Sequence, residues 1–164
     1  DAMLTLAGQA TMGVELVEQS SKLDAVVVAV GGGGLAAGLA LSVPKDVQII
    51  CVEPERSQCL RAALDAGERT TVDVSGVAAD SLGARTIGDL AFRALEGRVK
   101  SVLVSEEAIM DARRRLWEDV GVVAETGGAT ALAALTSGAF VPASGSILNV
   151  IVCGSNTDPS DLSL

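Results

Sequence analysis

Apolar and polar positions along this chain alternate between two periods. Ala25–Val30 is an unbroken apolar run of small and β-branched residues, which predicts a strand buried on both faces of a parallel sheet. Val47–Val52 predicts a second strand, ending at Glu53-Pro54, and Ser101–Val104 a third. Ser146–Val152 predicts the last. Helical spacing fills the intervals. Gly8–Ser20 places Met12 and Leu16 near one face, with Glu15 and Glu18 outside, whereas Asp1–Ala7 has no clear period. Leu35–Ser42 is a helix stopped by Pro44, and Glu55–Ala66 one stopped by Gly67. Asp89–Glu96 precedes Gly97. Ser105 caps a helix that runs to about Val120, its first turn carrying Glu106 and Glu107. Ala129–Ser137 is a last helix of small residues. Thr70–Val74 reads as a short extended piece, Ser75–Gly88 as a loop with one helical turn, and the tail from Thr157 as a loop. Strands alternating with helices predict an α/β fold: one domain over 1–164, a parallel sheet with helices on both faces.

Composition narrows the chemistry. The net charge is −9, and the one basic cluster, Arg113-Arg114-Arg115, reads as the solvated face of a helix. Nucleic acid is therefore not an expected partner. No apolar run is long enough to span a bilayer, no stretch reads as a signal peptide, and the three cysteines show no pairing motif. A cytoplasmic chain with free thiols is expected. Histidine is absent, which removes the usual general base.

The stretch Val26–Gly38 organises the rest. A strand, then Gly31-Gly32-Gly33-Gly34, then a helix start is an arrangement that binds phosphate. Bare N–H groups can approach the anion, and the helix adds unpaired donors and the positive end of its dipole. Four glycines in a row cost too much chain entropy for a simple turn. Two further glycine-bearing segments, Glu125–Ala129 and Cys153–Asn156, sit where parallel sheets gather ligands. One reading is a dinucleotide site: Gly31-x-Gly33-x-x-Ala36 fits the fingerprint, with Glu53 as the acid on a ribose. The extra glycine, Gly34, equally suits a single compact phosphate.

Residues 28–38 resemble the tetraglycine phosphate loop of fold-type II pyridoxal-phosphate enzymes, the tryptophan synthase β-like superfamily. The threonine/serine dehydratases and serine racemases are the group most resembled. Gly8-Gln9-Ala10-Thr11 with Glu15, Val52-Glu53-Pro54, Ser75-Gly76-Val77, Glu125-Thr126-Gly127-Gly128-Ala129 and Cys153-Gly154-Ser155-Asn156 resemble further family motifs, in the same order. The resemblance implies that the N–H groups of Gly31, Gly32, Gly33, Gly34 and Leu35 hold the cofactor phosphate. It implies that Cys153 faces the pyridine nitrogen, that Glu125 lies near the ring and substrate, and that the Gly76 backbone flanks the cofactor. A neutral thiol at the ring nitrogen suits β-elimination better than transamination. A divalent or monovalent cation is a lesser implication, with Glu53 and the Ser57 carbonyl as ligands; Cys59 stands where relatives have an acid.

Two family features are missing. The lysine that carries the cofactor belongs to a Ser-x-Lys motif earlier than this stretch, and the lysines here are Lys22, Lys45 and Lys100. The serine loop that grips the substrate carboxylate is also absent. The expectation is the C-terminal part of a lyase acting on a small hydroxy amino acid, inactive alone. It would be completed by a missing N-terminal segment or work as a homodimer. The alternatives are a serine racemase-like activity, a nucleotide-binding module, and a domain that kept the fold without the chemistry.

Overall fold

Val26, Val27 and Val28 have no exposed surface, because the strand they form is covered on both sides and both edges. The computed structural model describes residues 2–162. Helix α1 (Met3–Gln19) leads into β1 (Ala25–Ala29), α2 (Gly34–Ser42) and β2 (Gln48–Pro54). Then come α3 (Cys59–Ala66), α4 (Ala79–Leu82), α5 (Asp89–Leu95) and β3 (Lys100–Val104). The chain closes with α6 (Glu106–Val120), α7 (Thr126–Thr136), β4 (Leu148–Val150) and a 3₁₀ turn over Pro159–Leu162. All strand pairs are parallel and the order is β3-β2-β1-β4. On one face Val26, Val28, Ile49 and Cys51 meet Leu6, Leu39, Leu60 and Leu95; on the other Val27, Ile50, Val52 and Val102 meet Ile109, Leu116 and Ala133. The α/β architecture is the one the alternation predicts.

The strand order positions the site. From β1 the chain moves outward to β2 and β3, then returns to β4 on the other side of β1. The order reverses between β1 and β4, so the loops leaving those two strands diverge and open a crevice at their carboxyl ends. The glycine loop leaves β1 there and Cys153 leaves β4 there.

The boundaries differ from expectation in instructive places. The amino-terminal helix begins at Met3, although only Leu6 and Gly13 in it are buried. It is held by close contact with α2: a Cβ on Gly38 would lie 2.7 Å from the Ala10 nitrogen. Helix α3 starts at Cys59 and not Glu55, because Ser57 N–H turns back onto the Pro54 carbonyl at 2.9 Å. Helix α7 starts at Thr126, with Gly127 and Gly128 inside it. β4 is shorter than its apolar run, Thr70–Val74 is irregular, and the tail folds into the 3₁₀ turn. The arginine triplet also needs correcting. Arg114 and Arg115 pair with Asp111 on the surface, but Arg113 is buried, 2% exposed.

Candidate active site

Val30 N–H still belongs to the sheet, donating to the Val52 carbonyl at 2.9 Å. Beyond it the ladder stops. Among the described residues, the N–H groups of residues 31 to 36 donate to no protein acceptor; the next, Ala37, closes onto the Gly33 carbonyl at 2.9 Å. Every helix leaves its first-turn donors open. Here the open series extends back through the loop, and Gly33, at φ 87°, bends the chain into the helix. These groups border a cavity of about 210 Å³, lined by residues 29–36 together with Ser81, Leu82, Glu125, Gly127 and Cys153.

The glycines are not equivalent. A Cβ at Gly33 would collide with Ile87 and come within 2.9 Å of Ala91, so the fold itself demands glycine there. At Gly34 a Cβ would meet nothing within 4 Å, and at Gly32 only Ala84 at 3.9 Å. Those two positions keep space that the protein does not fill. A compact anion ringed by main-chain donors fits that space, so the residues present suit a cofactor phosphate.

The opposite wall is built by close backbone approach. Glu125 N–H donates to the Gly154 carbonyl at 3.0 Å, and Gly128 lies so tightly under Cys153 and Gly154 that a Cβ would strike both carbonyls. Gly127 clears Ser81 and Leu82 in the same way. This is why glycines that look like helix breakers lie inside α7. Burial pushes the Cys153 thiol up from its ordinary pKa, and the neighbouring Glu125 charge adds to it, so the thiol stays protonated at neutral pH.

Gly31, Gly32, Gly33, Gly34, Leu35, Glu125 and Cys153 thus line one cavity. Gly76 does not line it. It packs instead on the Glu106 carboxylate, which accepts the Val77 N–H at 2.5 Å, while Thr126 Oγ1 donates to the Val77 carbonyl at 2.9 Å. Its loop reaches the cavity further along, through Ser81 and Leu82 of α4, which sequence reasoning missed. Only the irregular glycine spacing of that loop hinted at a fixed, contact-rich path.

Glu53 has another use than ribose or cation binding. It is wholly buried, and its two oxygens accept the N–H groups of Leu60 at 2.7 Å and Arg61 at 2.8 Å. It caps the N-terminus of α3 from within. Burial pushes its pKa up to about 7, against the pull of those donors and of Arg61. Ser57 is also buried, its hydroxyl donating to the Leu82 carbonyl at 2.9 Å. Burial pushes Cys59 up to about 12. Among the described residues no cluster of three or more His, Cys, Asp or Glu is placed to hold a metal.

The lysines lie at the other end of the sheet. Lys22 and Lys45 precede β1 and β2, and Lys100 opens β3. Lys22 pairs with Asp24 at 3.2 Å, and Lys100 sits 5.1 Å over the Phe140 ring. A strand of this length separates them from the glycine loop by roughly 15 Å.

Comparison with known proteins places these features. A family model described as "Pyridoxal-phosphate dependent enzyme" matches residues 1–154. Biosynthetic L-threonine dehydratase IlvA of Escherichia coli (strain K12) is 42% identical over 139 residues, covering 82% of this chain and 27% of that protein. The crystal structure of a threonine deaminase from T.th. superposes with TM-score 0.88 at 35% identity, over 96% of this chain and 59% of that one. Maize serine racemase superposes with TM-score 0.90 at 30% identity, over 99% of this chain and 51% of that one. The chain spans little more than half the length of these structures, and about a quarter of the Escherichia coli protein.

Proposed function

Because the chain belongs to the pyridoxal-phosphate-dependent enzyme family, we propose that it is the phosphate-holding part of a lyase that releases ammonia from L-threonine or L-serine. The observation that carries this reading is the series of unpartnered N–H groups over residues 31–36, facing a cavity at the sheet's switch point. The names of the similar proteins, threonine dehydratase and threonine deaminase, support the reaction class.

When bound, pyridoxal phosphate supplies a sink for the electrons left as a bond to the substrate Cα breaks. The N–H groups of residues 31–35 bind and orient its phosphate. The open N-termini of α2 and α7, both at the cavity, favour the negative charge. Cys153, whose thiol stays protonated, would face the ring nitrogen. A thiol is too weak an acid to leave its proton on that nitrogen, so Cys153 would leave the cofactor a mild electron sink, suited to losing a β-hydroxyl more than to shuttling an amino group. Glu125 keeps a carboxylate at the edge of the cavity where substrate would enter.

The lysine that carries the cofactor is not among Lys22, Lys45 and Lys100, which face away. It would have to come from another segment or from a different chain, and this chain alone is inactive. The racemase reading is favoured by the maize superposition and shares the same first step, breaking Cα–H. The free, largely buried thiols fit a cytoplasmic enzyme.

Titration of the chain with pyridoxal phosphate, pyridoxal and NADH tests the core of the reading. Pyridoxal phosphate binds and is displaced by inorganic phosphate, pyridoxal binds at least about a hundredfold more weakly, and NADH does not compete. Equal affinity for pyridoxal and its phosphate overturns the assignment. Supplying the lysine-bearing segment and L-threonine or L-serine then gives a 2-oxo acid, whereas D-serine as the product selects the racemase.

A further inference from the structure

Arg113 is almost fully buried, yet it lines no part of the cavity. Its Nε donates to the Ala124 carbonyl at 2.8 Å. Its Nη2 donates to Thr157 Oγ1 at 2.9 Å and to the Asp158 carbonyl at 3.2 Å. Ala124 immediately precedes Glu125, and Thr157 closes the loop that begins at Cys153. One planar group therefore ties together the two segments that form the cavity wall opposite the glycine loop. Those segments touch at the Glu125–Gly154 backbone bond and nest through Gly128. The arginine's own position is fixed, because Ile109, Ala112 and Leu116 root α6 in the core. A lysine ammonium could not reproduce the fork, since it lacks coplanar donors aimed in two directions.

We infer that Arg113 is a positioning residue for the Glu125–Cys153 wall. It sets how far the Cys153 thiol is withdrawn from solvent and where the Glu125 carboxylate stands against it. That these settings serve a cofactor rests on the proposed function above; the positioning itself does not.

The test follows Cys153 alkylation by iodoacetamide in the whole chain, read by mass spectrometry, with buried Cys51 and Cys59 as internal references. In Arg113→Met the rate at Cys153 rises at least about tenfold while the reference thiols keep theirs, the signature of local opening. Arg113→Lys falls between. All three thiols rising in step means that Arg113 merely stabilises the fold, and no rise at Cys153 means that the wall stands without it; either result overturns the inference. Should Arg113→Met not fold, Thr157→Val removes one arm of the bridge and raises the Cys153 rate alone by about three- to fivefold. An unchanged rate overturns the inference there too. Inorganic phosphate binds Arg113→Met as it binds the parent chain, because the glycine loop is untouched; a parallel fall in phosphate affinity overturns local positioning. A parent chain that binds no phosphate removes the cofactor reading and leaves the thiol result standing.

Discussion

Helices α2 and α3 begin at the same edge of the sheet, each after the strand before it, and their N-termini are finished in opposite ways. At α3 the protein supplies its own acceptor: the two oxygens of the buried Glu53 carboxyl take the N–H groups of Leu60 and Arg61. At α2 no side chain arrives, and the donors stay open from Gly31 to Ala36. The local physics is the same, since both are positive helix ends that favour negative charge. The difference lies in who brings the accepting oxygens. α3 shows what a filled terminus looks like in this protein, and α2 is the same device with its donors left open.

The largest expected effect comes from converting one terminus into the other. Gly34→Asp places a carboxylate into space that nothing occupies, at the first position of α2. Pyridoxal phosphate and inorganic phosphate affinity should fall at least about a thousandfold, worth about 4 kcal/mol, while the melting temperature holds or rises. Retained phosphate affinity in a folded Gly34→Asp protein would break the comparison.

The filled terminus predicts a pH dependence of slightly smaller size. Glu53 is raised from 4.5 to about 7 in the folded chain. Between those values the unfolded chain has lost this proton and the folded chain keeps it, so stability falls as pH rises. The contribution is fully present below about pH 4.5 and gone once pH passes 7, on the order of 3 kcal/mol in all. Urea unfolding across that window should show the decline, and Glu53→Gln should remove this part of it. A Glu53→Gln protein with the parental pH slope would mean that the carboxylate is already ionised in the fold.

A finer comparison lies within the glycine loop. Gly33→Ala meets a left-handed backbone as well as Ile87 and Ala91, and should cost about 2 kcal/mol. Gly34→Ala meets open space in a helix and should stabilise the free protein by up to about 1 kcal/mol. Thermal melts of the pair separate the glycine that the fold requires from the one kept for a ligand. Equal losses would mean that the loop is glycine-rich for its own geometry alone.

Much of this was legible in the chain itself. Val26–Val30 read as a buried parallel strand, observed over Ala25–Ala29, and the glycine run after it marked the loop whose N–H groups stay open. Three separated segments, 31–35, 125 and 153, were expected around one ligand, and they line one cavity. What escaped shares a cause: contacts between residues far apart in sequence. Glu53 stood where a ribose acid would stand, but the N–H groups of α3 had a prior claim on it. Gly127 and Gly128 read as a break because their reason, close neighbours at Ser81 and at the Cys153 and Gly154 carbonyls, lies in other segments. Arg113 looked like its neighbours Arg114 and Arg115 until the tail folded back onto it. Met3–Ala7 showed no period because Leu6 alone of its large apolar side chains is buried, Met3 and Leu4 being exposed, and the close contact with α2 comes later in the helix, at Ala10 and Gly13.

The donors that face the cavity from residues 31–36 are all main-chain atoms. Proline apart, which lacks the N–H altogether, no exchange of side chains can delete them; it can only crowd them. A descendant of this chain could shed Cys153, Glu125 and every reactive group around them and still present the same open series of N–H groups to the cavity.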